Sequence, residues 1–227
     1  MKLYHDLTQC SFLCRVNRFI AKCSVGGVET TVHVKNTGRL KELLVPGATC
    51  WLEKSANPGR KTLYDLVAVE KDSRIVNIDS QAPNLIAKEW VETGGWGEVT
   101  DIRSEVTWGD SRFDLGCMQG DARCLIEVKG VTLFNEDGVA IFPDAPTTRG
   151  AKHLHGLIEA RRAGMESGLL FVIMKEDAVG LAPNDVTDPD FSAALREAHE
   201  SDVRIVAACC RVTADAAEIV RTVPLIL

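Results

Sequence analysis

The chain has 227 residues, of which 45% are hydrophobic and 26% charged, as in a globular protein with one large or two small domains. No apolar run approaches the roughly 18–20 residues that cross a bilayer, and the polar N-terminus lacks the apolar core of a signal peptide. We therefore expect a cytoplasmic protein with no membrane partner.

The charge is unevenly distributed along the chain. The formal net charge is −6, but residues 1–80 carry 12 Lys and Arg against 8 Asp and Glu, a net of +4. Residues 81–227 carry 14 against 24, a net of −10. This asymmetry suits a basic N-terminal part that holds phosphates and an acidic C-terminal part that holds a metal.

Short strand patterns dominate the first third of the chain. One or two helical turns are predicted over Thr37–Leu44, and a loop over residues 55–61. Strands are predicted at Phe12–Val25, Val28–Lys35, Cys50–Lys54, Leu63–Glu70 and Arg74–Asp79. About five strands with a short helix midway predict a small closed barrel of the OB type over residues 1–80.

Barrels of this type bind single-stranded nucleic acid on one face. Alternation along the first predicted strand puts Arg18 and Lys22 on the same face. The basic candidates for contacts to nucleic acid here are Arg15, Arg18, Lys22, Lys35, Arg39 and Lys41. The alternative is a solvated barrel edge that only supports the second domain.

From Gln81 the pattern becomes one of alternating helices and strands. The predicted elements are a helix at Pro83–Glu92, a strand at Val99–Thr107, a helix from Thr147 or Thr148 to Gly164, a strand at Gly168–Lys175, a helix from Pro189 to Glu200 capped by Asp188, and a strand at Val203–Val212. This order predicts an α/β domain over residues 81–227, with helices against a mixed sheet.

A hairpin at Ser111–Gly130 carries the strongest functional signal. A turn centred on Gly120 places Asp114 across from Glu127, and alternation puts Glu127 and Lys129 on one face. Two close carboxylates suit Mg²⁺ or Mn²⁺, and a lysine beside them can orient a water or stabilise charge on a phosphate. The arrangement resembles the metal-dependent nuclease core of the PD-(D/E)xK pattern. The alternative is an exposed cross-strand ion pair.

The segment FPDAPTTRGAKHLHGL adds cations. On its predicted helix, Arg149, Lys152 and His153 fall on one side, near the small residues Gly156 and Ala160. Cations above small residues leave space for a backbone phosphate, although the same pattern also fits a solvated helix face. Asp144, just before the helix, is either a metal ligand or a turn residue.

Five segments together resemble one family. HVKNTGRL, VNIDSQAPN, SRFDLG, IEVKGVTL and FPDAPTTRGAKHL, in this order, are similar to the sugar fermentation stimulation protein A family, nearly end to end. The resemblance implies an N-terminal OB-type barrel and a C-terminal PD-(D/E)xK restriction-endonuclease-like domain. It also implies DNA binding and, on fold grounds, a DNA or RNA nuclease. An early proposal for the family is regulation of sugar (maltose) utilisation genes.

The resemblance also assigns site residues. It implies a catalytic core of Asp114, Glu127 and Lys129, with Asp114 and Glu127 as metal ligands, and a cleft lined by Glu89, Glu105, Asp144, Arg149, Lys152 and His153. Glu89 and Glu105 are the further candidate metal ligands, and Arg112 is a further candidate contact to nucleic acid. The sequence departs from the family pattern at Thr148 and Gly156, where acidic residues are usual.

Three functions are therefore open at this point. The first is a phosphodiesterase that depends on Mg²⁺ or Mn²⁺ and acts on DNA or RNA. The second is a DNA-binding regulator that cuts nothing, and the third is an enzyme of sugar or nucleotide metabolism. The sequence does not determine the oligomeric state, for which a homodimer is one option.

Overall fold

The computed structural model describes residues 1–57 and 59–227; Pro58, in the predicted loop 55–61, lies outside the described residues. The chain forms two compact units. The first comprises Met1–Ala82 and Arg211–Glu218, and the second comprises Pro83–Cys210 and Ile219–Leu227. The predicted second domain, 81–227, includes residues 211–218, which the structure groups with the first unit.

The first unit contains the predicted barrel. Its strands are β1 (Leu7–Arg15), β2 (Ile20–Val25), β3 (Val28–Val34), β4 (Thr49–Lys54), β5 (Tyr64–Lys71) and β6 (Arg74–Asn77). They pair in the order β3-β2-β1-β4-β5-β6, and a further parallel pairing of β3 with β5 closes the sheet on itself. Each of β1 to β5 therefore pairs with a strand on both sides, as in a closed barrel. The expectation of a closed, five-stranded OB-type barrel is confirmed.

The long first strand predicted at Phe12–Val25 is wrong. The side-chain oxygen of Asn17 accepts hydrogen bonds from the backbone N–H groups of Phe19 (2.9 Å) and Ile20 (3.0 Å), which forms a tight turn between β1 and β2. Arg18 therefore lies in this turn and not on a strand face with Lys22.

Of the one or two helical turns predicted at Thr37–Leu44, the structure has a single turn and no helix. The carbonyl of Leu40 accepts from the N–H of Leu44 at 2.8 Å, and Leu40 has a left-handed backbone, with φ of 48°. The Arg15 guanidinium donates hydrogen bonds to the carbonyls of Asn36, Gly38 and Arg39 at 2.7–2.8 Å. Arg15 therefore satisfies the carbonyls before the turn.

The second unit is built on a mixed sheet, as predicted. Its elements are α1 (Ala82–Glu92), β7 (Thr100–Trp108), β8 (Ser111–Gln119), β9 (Ala122–Val131), β10 (Leu133–Phe134), β11 (Val139–Phe142), α2 (Thr148–Arg162), β12 (Glu166–Ile173), β13 (Gly180–Pro183), α3 (Pro189–Glu200), β14 (Arg204–Val212) and β15 (Ala217–Val223). The large sheet has the order β15-β14-β12-β9-β8-β7, and a small sheet has the order β10-β11-β13. Strands β9, β12 and β14 are parallel, and β7, β8 and β9 are antiparallel.

The starts of α2 and α3 share one carboxylate. Asp188 caps α3 by accepting from the N–H of Phe191 at 2.9 Å, and it accepts from the N–H of Thr147 at 2.6 Å. Thr147 in turn caps α2 through the N–H of Gly150 at 3.0 Å. This bonding fixes the first turn of α2, which carries the predicted cations, relative to α3.

The apolar core of this unit lies between the large sheet and helices α2 and α3. Its fully buried members include Phe113, Leu125, Leu157, Phe171 and Leu195. On β9, Leu125 and Val131 belong to this core, and Glu127 and Lys129 lie between them in the alternating pattern. The core therefore brings α2 directly over the part of the sheet that carries the predicted site.

Candidate functional site

The site is built on the β8–β9 hairpin. The paired register runs from Gln119 opposite Ala122 to Leu115 opposite Ile126. The pairing ends there, and Asp114 and Glu127 are the next residues on β8 and β9, so the predicted pairing of these two acids across the strands stays a prediction. Beyond that point the two strands are joined by a side chain, because Asp114 Oδ2 accepts a hydrogen bond of 2.8 Å from the N–H of Val128.

Glu127 is the centre of the cluster. Its side chain is only 3% exposed, and its Oε1 accepts hydrogen bonds from Lys129 Nζ and from His153 Nδ1, the latter at 2.5 Å. Its Oε2 is buried and has no hydrogen-bond partner in the described part of the chain. A buried carboxylate oxygen is strongly destabilising unless a donor or a cation satisfies it. Glu127 Oε2 is therefore available to a partner other than the described residues.

The two acids have opposite pKa shifts. Burial raises the pKa of Asp114, and the nearby charge of Glu127 raises it further. For Glu127, burial also favours a higher pKa, but the hydrogen bonds from His153 and Lys129 and the positive charge of Lys129 outweigh it and hold the pKa below its ordinary value. Glu127 is therefore the ionised member, and Asp114 is the member that a cation would help to ionise.

Asp114 is held by helix α1. Asn84 Nδ2 donates a hydrogen bond of 2.7 Å to Asp114 Oδ1. The first turn of α1 can approach the sheet because Gly130 has no side chain; a Cβ there would lie 2.6 Å from Pro83 Cγ. Asn84 was not among the predicted site residues, because no local pattern connects two residues 30 positions apart.

His153 is placed differently from the prediction. The sequence analysis put it with Arg149 and Lys152 on a cationic helix face for nucleic acid, but His153 is 5% exposed and bonds Glu127. Arg149 Nε donates to His153 Nε2 at 3.3 Å, which makes Nε2 the acceptor and leaves the proton on Nδ1. The result is a continuous series of polar contacts from Lys129 through Glu127 and His153 to the exposed Arg149.

The small residues of α2 do not leave open space for a phosphate. Gly156 and Ala160 are buried, and a Cβ at Gly156 would lie 3.0 Å from the ring of Phe113. That prediction is wrong, because this side of α2 packs on the sheet. Only Arg149 and Lys152 from the predicted cationic side are exposed.

Three of the other predicted residues form exposed ion pairs. Lys152 pairs with Asp110 at 2.9 Å, and Arg112 pairs with Glu105 at 3.6 Å. Glu105 is 68% exposed and has a positive φ of 58°, where β7 departs from regular strand geometry. Glu105 is thus directed to Arg112 at the surface and is not brought into contact with Glu127.

Two further predicted acids are partly buried. Glu89 lies on α1 five residues after Asn84, which is roughly 140° further around the helix. Asp144 lies between β11 and α2. Their assignments as a metal ligand and as a residue supporting the site stay predictions.

The predicted cations of the barrel divide into two groups. Lys22 pairs with Glu29 at 2.6 Å, and Lys35 pairs with the buried Asp79 at 2.6 Å. These two lysines are therefore engaged within the barrel. Arg18 and Arg39 are exposed, Arg18 in the β1–β2 turn and Arg39 in the segment after β3.

The carboxylate pair meets the requirements of a hard divalent cation only in part. Among the described residues no group of three or more His, Cys, Asp and Glu is arranged to hold a metal. Mg²⁺ and Mn²⁺, however, take one or two carboxylates and keep several waters. The unsatisfied Glu127 Oε2 and the raised pKa of Asp114 both fit a cation beside these two side chains.

No helix among residues 1–57 and 59–227 is both long enough and apolar enough to cross a membrane.

Comparison with known proteins identifies the family. A family model described as "SfsA N-terminal OB domain" matches residues 13–78, and one described as "Sugar fermentation stimulation protein RE domain" matches residues 81–216. The chain belongs to the sugar fermentation stimulation protein (SfsA) family. The resemblance seen in the sequence motifs is confirmed, and so are both predicted domain types.

Relatives within the SfsA family cover the chain almost completely. A "sugar fermentation stimulation protein homolog" from Desulfitobacterium hafniense is 46% identical over 95% of this chain and 94% of its own. One from Acetivibrio thermocellus is 44% identical over 100% of both chains. The solved structure of Pyrococcus furiosus SfsA in complex with Ca²⁺ matches with a TM-score of 0.90 at 27% identity, over 100% of both chains.

Proposed function

We propose that this protein is a metal-dependent nuclease that hydrolyses phosphodiester bonds of DNA or RNA. The observation that carries the proposal is the acid pair on the hairpin. Glu127 keeps one buried oxygen without a partner, next to an Asp114 whose pKa is raised by burial and by the Glu127 charge. Such a pair is unfavourable in an apoprotein and becomes favourable when a divalent cation neutralises it.

Asp114 and Glu127 would hold the metal, Mg²⁺ or Mn²⁺. The Pyrococcus furiosus relative was solved with Ca²⁺, another hard cation with oxygen ligands, which supports this class of metal. When bound, such a metal supplies Lewis-acid polarisation of a phosphate and a lower pKa for a coordinated water. Asn84 and the Val128 N–H orient the Asp114 carboxylate for this role.

The remaining residues of the cluster position the acids and stabilise charge. The Lys129 side chain is 20% exposed, against 3% for Glu127, so its ammonium is the more accessible group for a phosphate. There it can stabilise the negative charge that grows on the phosphate during displacement. His153 donates to Glu127 Oε1 and thereby fixes the free oxygen, while the exposed Arg149 holds His153 and carries a positive charge at the surface.

The test is a cleavage assay on purified full-length protein. Labelled single- and double-stranded DNA and RNA are incubated with Mn²⁺, Mg²⁺ or EDTA. We expect products with a metal and none in EDTA, and we expect Asp114→Ala and Lys129→Ala to abolish cleavage. Glu92→Ala and Lys88→Ala are matched controls, because they remove an acid and a lysine that pair with each other at the surface of α1 and are not assigned to the site. Cleavage that persists in Asp114→Ala or Lys129→Ala would show that the assignment is wrong.

A second function has some support, namely a DNA-binding regulator of sugar-utilisation genes that cuts nothing. Glu127 Oε1 is already engaged by two donors, and the described residues lack a three-ligand metal group. The family name also points to sugar metabolism. Binding to DNA that weakens with salt, without products under any metal, would favour this function over the nuclease.

A further inference from the structure

Two cysteines face each other across the β8–β9 hairpin. Cys117 on β8 and Cys124 on β9 are register partners, two residues from the strand ends at Gln119 and Ala122, and both are free thiols. Opposite residues of an antiparallel pair have Cα atoms about 4.5–5.5 Å apart. A disulfide spans Cα distances of about 4.4–6.8 Å. The backbone of the hairpin therefore already meets the distance requirement of a disulfide at this pair.

The two thiols differ in reactivity. They share a hydrogen bond, which lowers the pKa of Cys117 and raises the pKa of Cys124. Cys117 is also the more accessible of the two, with 6% exposed against 2% for Cys124. The thiolate is the form that attacks a disulfide, so we expect Cys117 to react first and Cys124 to follow.

A buried tryptophan lies beside the second thiol. Trp96 is 1% exposed, and its indole N–H has no hydrogen-bond partner in the described part of the chain. The hydrogen bond with Cys117 and burial raise the pKa of Cys124, whereas the Trp96 N–H, near the same sulfur, lowers it. A buried donor without a partner is costly, and a sulfur that gains negative charge during thiol–disulfide exchange would satisfy it.

We propose that Cys117 and Cys124 are a reversible redox site, which forms a disulfide across the hairpin on reaction with a low-molecular-weight disulfide such as oxidised glutathione. The Cys117 thiolate attacks one sulfur of the oxidant, forms a mixed disulfide and expels a glutathione thiolate, which takes up a proton. Cys124 then loses its proton, and its sulfur attacks the Cys117 sulfur and expels the second glutathione. The two cysteine thiols thus lose two electrons and two protons, and the oxidant becomes two molecules of reduced glutathione.

The position of this pair connects it with the candidate site. Asp114 and Glu127 lie on the same two strands, each three residues further from the turn than Cys117 and Cys124. A disulfide fixes the separation of the strands at a point between the turn and the acids. The thiol chemistry itself does not depend on the proposed nuclease, so either assignment can fail without the other.

The barrel contains a cysteine pair that serves as an internal comparison. Cys10 on β1 and Cys50 on β4 are register partners too, but Cys50 is fully buried. Burial raises the pKa of Cys50 to about 12, so little thiolate forms there. We therefore expect Cys10 and Cys50 to stay reduced under conditions that oxidise Cys117 and Cys124.

The experiment locates the bond by peptide mass. Full-length protein is incubated with oxidised glutathione, its remaining thiols are blocked with N-ethylmaleimide in denaturant, and the chain is digested with trypsin. Cleavage after Arg112, Arg123 and Lys129 puts Cys117 and Cys124 in separate peptides, 113–123 and 124–129, neither of which contains another cysteine. We expect these two peptides to be joined after oxidation and separate again after treatment with dithiothreitol.

Serine variants test the order of the steps. Cys124→Ser should stop at the mixed disulfide, with one glutathione on peptide 113–123. Cys117→Ser should leave peptide 124–129 unmodified, because the attacking thiolate is gone. Cys14→Ser removes an exposed cysteine outside the pair and is the matched control, which should form the joined peptides as the wild type does.

The wild-type map decides the main point without any variant, so a folding defect in a serine variant does not remove the test. The redox site is rejected if peptides 113–123 and 124–129 stay separate in excess oxidised glutathione. It is also rejected if peptides 3–15 and 42–54, which contain Cys10 and Cys50, become joined at the same or a lower concentration of oxidant. Glutathione on Cys124 in Cys117→Ser, with none on Cys117 in Cys124→Ser, would overturn the assigned order.

Discussion

Replacing His153 with leucine and with asparagine should separate its hydrogen bond from its volume. Asparagine can still donate from Nδ2 at the position of the histidine Nδ1, whereas leucine fills the space and donates nothing. The bond goes to a buried, ionised Glu127 at 2.5 Å. Because a hydrogen bond to a charged group contributes about 1.5–3 kcal/mol, we expect His153→Leu to be less stable than His153→Asn by about that amount at pH 7.

The difference should depend on pH with a definite sign. In the protein, hydrogen bonds from His153 and Lys129 and the charge of Lys129 overcome burial and hold the pKa of Glu127 below its ordinary value. A lowered pKa contributes stability above the pKa of the unfolded chain and loses it as the pH falls through the folded value. In His153→Leu the pKa of Glu127 moves upward, so the deficit against His153→Asn is complete at pH 7 and shrinks towards pH 4. Neither replacement titrates, so the change reports Glu127 together with Asp114, whose pKa depends on the Glu127 charge.

The measurement is urea unfolding followed by tryptophan fluorescence. The second unit contains Trp90, Trp96 and Trp108, and the first contains Trp51. Both variants are therefore built on Trp51→Phe, so that the tryptophan fluorescence comes from the second unit alone. Unfolding of the first unit then does not contribute to the fitted unfolding curve. Equal midpoints for the two variants at pH 7, or a difference that stays constant down to pH 4, would refute the reasoning about Glu127.

Three further predictions concern other parts of the structure. Arg15→Met should destabilise the barrel by about 2–4 kcal/mol, since four hydrogen bonds to backbone carbonyls are lost, and the fluorescence of the barrel's single tryptophan measures it. Gly156→Val should cost about 1–3 kcal/mol by overpacking against Phe113, whereas a valine at an exposed position of the same helix should cost less. Asp114→Asn should abolish cleavage, because a neutral amide is a much weaker ligand than a carboxylate for a hard divalent cation, and the cleavage assay with Mn²⁺ and Mg²⁺ measures it.

Local rules account for the parts of the site that the sequence predicted. The hairpin register follows from a two-residue turn, Gly120–Asp121, in which Gly120 adopts a left-handed φ of 59°. Once that turn is placed, alternation decides that Glu127 and Lys129 share a face. The cap of α3 at Asp188 follows in the same way from an Asp before a Pro.

The errors come from interactions between distant residues. Periodicity places Arg149 and His153 on related sides of a helix, but it does not say which side meets the sheet. Two residues on the sheet decide this. Phe113 on β8 has its ring 5.8 Å from that of His153, and Glu127 on β9 accepts a hydrogen bond from His153. A histidine among cations was therefore assigned to the surface, although its partner is a buried carboxylate.

The first domain shows the same limit. The segment Thr37–Leu44 has the composition of a short helix, but it forms a single turn, and the carbonyls of Gly38 and Arg39 accept from Arg15. Arg15 lies more than 20 positions earlier, and nothing in its own surroundings marks it as a residue that binds carbonyls. Tertiary hydrogen bonds here override local propensity, as short helical patterns allow.

The energetics of Glu127 connect the fold with the proposed chemistry. A buried carboxylate held by Lys129 and His153 is weak evidence for a purely structural role, because apolar residues of similar volume often stabilise a core as well or better. A structural role would also favour satisfying both oxygens, and Oε2 is left unsatisfied. The neighbouring Asp114 adds repulsion instead of relieving it, because the charge of Glu127 raises its pKa. Both features destabilise the metal-free protein, and a bound divalent cation would offset both of them. Addition of metal should therefore raise the melting temperature of the wild type but not that of Asp114→Asn.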